Sequence, residues 1–306
     1  MEMIYMKKFT VLMSLAALSF ALTACGGNKA ENVETEAAST EAAAEAETEA
    51  SEAEADAEPV ELPEDYESEF FEGIITEVNG TQLTLQDDAG STMRFDISNA
   101  ELPEDPILTG CDAEVEYAAV DGAEANPAVS VIVLMDIEQQ AAIENRDPVI
   151  YGTLQLADTN ELSILDDSGT ARDFDNQMSR TVSFDEIKTG DRVAVTYIGE
   201  LFGGEDEGEE EVQASEDIFS TPYALKIVAV DALESDEAKA NYITGSVDMI
   251  YEDGIITLMT NAVTFEVNVD PSMLEGIEEG DNVKVYYNGA LSGITVDAAS
   301  IEKTDN

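Results

Sequence analysis

The chain contains no histidine. That absence removes the usual neutral-pH general base, the Ser-His-Asp and Cys-His arrangements, and zinc sites built on imidazole. Serine with a lysine base and paired carboxylates stay chemically open. With 68 acidic residues against 13 basic ones, however, neighbouring carboxylates arise by chance, so no catalytic residue is nominated and the chain is read as no enzyme. Two cysteines remain, Cys25 and Cys111. Cys111 has no cation beside it to lower its pKa and reads as a small, half-buried residue. Cys25 ends an apolar N-terminal segment and is the one thiol placed for covalent modification. Oxygen ligands for calcium are dense in one insertion, where Glu205, Asp206, Glu207, Glu209, Glu210 and Glu211 crowd between glycines. Their spacing matches neither an EF-hand loop nor a nonapeptide repeat. The candidate stacking rings are Tyr117, Tyr197 and Tyr287, since the chain has no tryptophan.

These residues are positioned by a threefold internal repeat. Each copy opens on a glycine in a strand-like run, at Gly73, Gly152 and Gly245. Alternating apolar pairs follow, Leu83 and Leu85, Leu162 and Ile164, Ile256 and Leu258, which is the period of a half-buried strand. A phenylalanine comes next, at Phe95, Phe174 and Phe265. Then Gly110-Cys111-Asp112-Ala113-Glu114-Val115-Glu116-Tyr117 aligns without a gap on the segments starting at Gly190 and Gly280, each ending on a tyrosine. A glycine turn feeding an alternating strand is the simplest reading.

A last strand near Ala128, Ala224 and Ala298 gives about five strands per copy, with a short helix or turn between the third and fourth, as at Pro271 to Ile277. The fold class is therefore all-β: three tandem five-stranded small barrels, OB-like with an SH3-like form as the alternative. Ile75, Leu85, Phe95, Val115 and their counterparts are the predicted core. Helix-forming stretches at 141–146 and 235–240 predict short helical connectors, with the barrels strung as a chain rather than sharing a core. The paired turns Asp87-Asp88-Ala89-Gly90 and Asp166-Asp167-Ser168-Gly169 read as hairpin chemistry.

Ahead of the repeats, Lys7-Lys8 and the apolar run from Phe9 to Leu22 have the length of a signal-peptide core rather than a membrane span. The run ends in Leu22-Thr23-Ala24-Cys25-Gly26, which resembles a bacterial lipobox. The resemblance implies a signal peptide over 1–24 and lipidation of Cys25, leaving no second thiol for a disulfide with Cys111. Residues 25–65 reduce to Glu, Ala, Thr and Ser, as in Glu45-Ala46-Glu47-Thr48-Glu49-Ala50. With no apolar stripe and like charges throughout, they read as a disordered acidic tether. The repeats fall at 66–137, 149–233 and 242–303.

The repeat, with its opening glycine and its Gly-Asp-x-Val-x-Val-x-Tyr strand, resembles small β-barrel domains of surface lipoproteins in Gram-positive bacteria. Its landmarks are turn and core residues, so the resemblance implies a fold and carries no function. Together these readings predict a noncatalytic, lipid-anchored protein at the outer face of the cytoplasmic membrane, displaying tandem binding or spacer modules. A calcium-dependent adhesion or cell-wall-associated protein, and an accessory lipoprotein of an exporter or wall-synthesis complex, are the alternatives. Expected partners are the membrane, through the lipid, and a protein or cell-wall ligand. Nucleic acid is excluded on the formal charge of −55, and no cofactor is expected unless calcium binds.

Overall fold

The computed structural model describes residues 66–202, 221–291 and 293–304. The signal peptide, Cys25, the tether and the acidic insertion at Glu205 to Glu211 lie outside the described residues. No helix among those described is long and apolar enough to cross a membrane.

The first barrel comprises β1 (Ser68–Asn79), β2 (Gln82–Gln86), β3 (Thr92–Asp96), β4 (Asp112–Ala118) and β5 (Asn126–Met135). The second comprises β6 (Val149–Ala157), β7 (Glu161–Asp166), β8 (Ala171–Asp175), β9 (Arg180–Val182), β10 (Arg192–Ile198) and β11 (Tyr223–Ala229). The third comprises β12 (Tyr242–Ile250), β13 (Ile255–Met259), β14 (Thr264–Asn268), β15 (Asn282–Tyr287) and β16 (Thr295–Lys303). Helices α1 (Ile137–Glu144) and α2 (Asp236–Lys239) connect them.

The first and third sheets close in the order first, second, third, fifth, fourth strand. The third and fifth strands pair in parallel, Phe95 with Asn126 and Val267 with Val296. The second barrel has the same frame, with Asp175 paired in parallel to Tyr223 and β10 paired to both β6 and β11. This order is that of an OB-like barrel, and closure leaves no long open edge for another chain to extend.

One departure from the five-strand expectation is β9, a sixth strand pairing in parallel with β11 through Lys226 and Arg180. The first barrel has only a single bridge at the matching place, Glu101 to Ser130. The third barrel has a 3-10 turn there, Pro271–Leu274. The link between third and fourth strands is thus the variable part of the repeat.

The landmark residues now have physical causes. In each barrel the first strand pairs with the fourth over one half and with the second over the other, with a register shift in the later part, at Ile75/Glu77, Leu154/Leu156 and Val247/Met249. Such bulges bend a strand and allow a small sheet to curl shut. The opening glycine sits where the first and second strands crowd. A Cβ on Gly73, Gly152 or Gly245 would stand 2.3, 2.7 or 2.6 Å from a carbonyl oxygen of the second strand. The core residues named from the alternation, Ile75, Leu85, Phe95 and Val115, are fully enclosed.

The expectation of barrels strung without a shared interior is corrected. The buried apolar residues of barrels one and two form one contiguous cluster that includes Leu108, Cys111, Ile137 and Ile150. The cluster of barrel three takes in Ile198 and Leu225 of barrel two. The connectors are the reason, because α1 is more than a spacer. Asp136 and Gln139 form a capping box at its start, and the helix buries Ile137 and Ala141.

A methyl group at position 152 tests the account of the opening glycine. Gly152→Ala meets the Leu165 carbonyl and the Ile164 side chain, so thermal unfolding should show a loss of about 1–3 kcal/mol. An unchanged melting temperature would contradict it.

Candidate functional site at the barrel junctions

The three strand-ending tyrosines are buried, so their rings pack in the barrels as their fixed place at the strand end suggests and do not form ligand platforms, while their hydroxyls meet carboxylates and not solvent. Tyr117, Tyr197 and Tyr287 are 5, 0 and 7 % exposed, and each donates its hydroxyl to a carboxylate. Tyr117 Oη donates to Glu69 Oε2 at 2.9 Å within its own barrel. Tyr197 Oη donates to Glu138 Oε1 of α1 at 3.0 Å. Tyr287 Oη donates to Asp147 Oδ2, just beyond α1, at 2.7 Å. The ring edges pack on the core phenylalanines in the first two barrels, with centroids 5.2 Å apart for Phe95 and Tyr117 and 5.5 Å for Phe174 and Tyr197.

Barrels two and three repeat a finer pattern. The backbone N–H four residues past the tyrosine donates to the same carboxyl group: Leu201 N to Glu138 Oε1 at 2.6 Å, and Leu291 N to Asp147 Oδ1 at 2.6 Å. Each carboxylate is thereby clamped between a hydroxyl and an amide. Both clamped residues belong to the segment joining barrels one and two, so barrel three is tied back to a connector that precedes barrel two. Asn145 adds a weaker contact, accepting from Ala290 N at 3.4 Å.

Burial pushes the Glu138 and Asp147 carboxyls above the ordinary carboxylate range, opposed by the two hydrogen bonds each receives and, for Asp147, by the Lys226 charge. Burial likewise raises the Tyr197 and Tyr287 hydroxyls, which act here as hydrogen-bond donors. Sequence reasoning missed Glu138 and Asp147, because no local spacing marks which of many acids will meet a tyrosine 59 or 140 residues away.

Concave surfaces lie where the barrels meet. A cleft of about 520 Å³ opens between barrels one and two, lined by Pro106, Leu108, Met135, Arg172, Leu201 and Phe202 among others. Its size falls within the usual range for ligand sites, roughly 300–1,000 Å³, and its lining is mixed, since Asp105, Asp136, Gln139 and Arg172 face it beside the apolar side chains. Arg172 is the cation in the cleft. Its guanidinium lies 4.8 Å over the Phe202 ring, and its Nε bonds to the buried Asp166 at 2.8 Å. Cys111 also lines the cleft, but burial pushes its thiol up to about 11, and so it fits the inert packing role expected of it.

The outward positions of the second and third strands, the face by which OB-like barrels commonly hold ligands, are mostly uncharged or acidic. Arg94 is the one cation among them, and none carries an aromatic ring. No group of three or more metal-ligating side chains occurs among the described residues.

No family model matches the chain, and no curated protein matches it. Among solved structures it is similar to one titled drosophila Unr CSD456, at 13% identity and a TM-score of 0.20, over 79% of this chain and 99% of that one. It is also similar to a multidomain protein with nucleic acid binding domains from Streptococcus pneumoniae, at 13% identity and a TM-score of 0.16, over 78% of this chain and 74% of that one. Neither likeness assigns a ligand to this chain.

One expectation is nevertheless corrected. Nucleic acid was excluded on total charge, yet a matched structure carries nucleic acid binding domains in its title. The exclusion is withdrawn. Its physical weakness is that a summed charge does not describe a local surface.

The clamps make a signed pH prediction. A carboxyl whose folded pKa is raised adds stability below that pKa and loses it as pH rises through it. Asp147→Asn should therefore flatten the fall in stability as pH rises above the ordinary aspartate range, relative to the parent chain. Asp147→Ala leaves a buried hydroxyl and amide unpaired and should cost about 1–3 kcal/mol in urea unfolding. Identical pH profiles for parent and Asp147→Asn would contradict the assignment.

Proposed function

We propose that the chain is a noncatalytic, lipid-anchored protein of the outer face of the cytoplasmic membrane, presenting three packed OB-like barrels as a binding module for a protein or cell-wall ligand. The observation that carries this reading is the use made of the buried acid and hydroxyl pairs. Tyr197 with Glu138 and Tyr287 with Asp147 tie barrels two and three to the first connector, and one cleft is lined by residues of both barrels one and two. An array held in this way offers composite clefts to which two barrels contribute.

The anchor is supported by the apolar segment ending in Leu22-Thr23-Ala24-Cys25-Gly26 and by the acidic, Ala-rich residues that follow. Each buried methylene of an acyl chain contributes about 0.8 kcal/mol, and stable attachment takes two chains, as a diacylglycerol supplies.

Metabolic labelling with a radioactive fatty acid in a bacterial host that matures lipoproteins tests the anchor. The parent chain should take up label and sediment with membranes. Cys25→Ser should lose the label and leave the membrane fraction, whereas an unchanged distribution would contradict the proposal. A hydrolase activity of the purified chain that is abolished by changing one carboxylate would contradict the noncatalytic part.

A further inference from the structure

The same end of each barrel is formed by the residue before the opening glycine, the second residue of the hairpin between second and third strands, and the second residue after the glycine that leads into the fourth strand. In barrel two these are Tyr151, Asp167 and Arg192; in barrel three, Thr244, Asn261 and Asn282; in barrel one, Glu72, Asp88 and Asp112. In barrels two and three this end faces the preceding barrel. Asp167 Oδ2 accepts from the Thr109 hydroxyl at 2.7 Å and from Thr109 N at 3.3 Å, while its other oxygen pairs with Arg192 at 2.7 Å. Its side chain is only 2 % exposed. Asn261 Nδ2 donates to the Gln177 carbonyl at 3.2 Å, and Gln177, Met178 and Ser179 line the same cleft as Gly245 and Asn282.

Among the described residues no barrel precedes barrel one, and its end differs in charge. Asp88 is exposed. The position that carries Arg192 in barrel two carries Asp112 here, so a guanidinium is replaced by a second carboxylate. Glu72 adds a third, and burial first, then the charges of Glu72 and Asp88, raise the Asp112 carboxyl above its ordinary value. Beside the acids, Met135 at the end of β5 and Ile143 of α1 line a cleft of about 630 Å³ together with Glu72, Asp88, Asp112, Gln140 and Glu144. Ile143 is 69 % exposed.

We propose that this open end of barrel one is a docking site for a protein segment that carries arginine next to an apolar side chain, the guanidinium entering between Asp88 and Asp112 and the apolar group covering Ile143. Barrel two supplies the precedent within the chain, because the equivalent aspartate holds a guanidinium and is covered by a neighbouring barrel. Charge complementarity selects the occupant. A second copy of this chain is disfavoured, since the matching link of its third barrel carries Glu275, Glu278 and Glu279. A bare metal ion is disfavoured by the absence, among the described residues, of any three ligating side chains close enough to share one. Arginine suits the place better than lysine because its planar fork can bond two carboxylates at once. The site adds to the reading of the array as a binding module and does not depend on acylation.

The test uses the full chain and a fluorescein-labelled peptide containing Arg-Leu-Arg, with anisotropy as the readout. The parent should bind it in a salt-sensitive way. Asp112→Arg, which writes the barrel-two pair into barrel one, should weaken binding by about tenfold or more, as removal of a desolvated charge partner does. Asp88→Asn should weaken it too, and carries the test if Asp112→Arg fails to fold. Glu266→Gln, an exposed acid on barrel three, should leave binding unchanged. No binding by the parent, equal binding by Asp112→Arg and Asp88→Asn, or an equal loss in Glu266→Gln would overturn the proposal. Calorimetry in which calcium chloride alone binds the parent and is lost in Asp88→Asn would overturn it in favour of a metal site. Each of these failures leaves the fatty-acid labelling result untouched, so the anchored-array reading is judged separately.

Discussion

A carboxylate withdrawn from water is tolerated only when hydrogen bonds replace the water it has lost, and two such groups, the half-buried Glu138 and the buried Asp147, hold this molecule together. Glu138 and Asp147 each receive a tyrosine hydroxyl and a backbone amide from a barrel distant in sequence. Remove either donor and the remaining partner stays buried without its bond, which is why the pairing specifies one arrangement of barrels over others. The apolar contacts between barrels are less selective. They run from Ile137 and Ile150 into the first two cores and from Ile198 and Leu225 into the third, and many relative orientations of three small barrels would bury similar area. The clamps choose among them.

The repeat keeps its interior and varies its ends. Ile75, Leu154 and Val247 occupy one core position, as do Phe95, Phe174 and Phe265, while at the barrel end one position changes from acid at Asp112 to cation at Arg192 to amide at Asn282. This division follows from the barrel's size. Five short strands enclose so few side chains that almost every inward position is fixed by packing, whereas the ends are free to become junctions. In barrel two the end is neutralised by Arg192 and covered; in barrel one it is acidic and open. A solvated array with many acids is kept dispersed by its own charge, and complementary ends let it associate selectively.

Much of the fold was legible in the chain. The alternation at Leu83 and Leu85, the crowded glycines at 73, 152 and 245, and the turn glycines before the fourth strand are consequences of barrel closure acting on each copy separately, so three copies repeat them. The tyrosines were legible as packing positions but not by the partners of their hydroxyls. Their place at the strand end was evident, yet whether a ring faces ligand, solvent or a carboxylate depends on Glu138 and Asp147, which lie in another segment and carry no mark among so many acids. The strand β9 escaped for a similar reason, since Arg180–Val182 is three residues long and pairs only because β11 continues past the barrel. The separation of the barrels was misread because α1 has helix-forming residues but too short a run to advertise that Ile137 and Ala141 are buried against neighbours. The charge-based exclusion of nucleic acid failed because it treated a total as if it were a surface.

The central claim is that connector carboxylates hold the backbone beyond the fourth strands of barrels two and three. Hydrogen exchange of the full chain reads this directly, because the amides of Leu201 and Leu291 lie outside every strand and have a carboxylate as their acceptor. The account requires both to exchange as slowly as amides inside β10 and β15. Exchange at the rate of the exposed turns would show that the clamps are open in solution and that the barrels are not held together in this way.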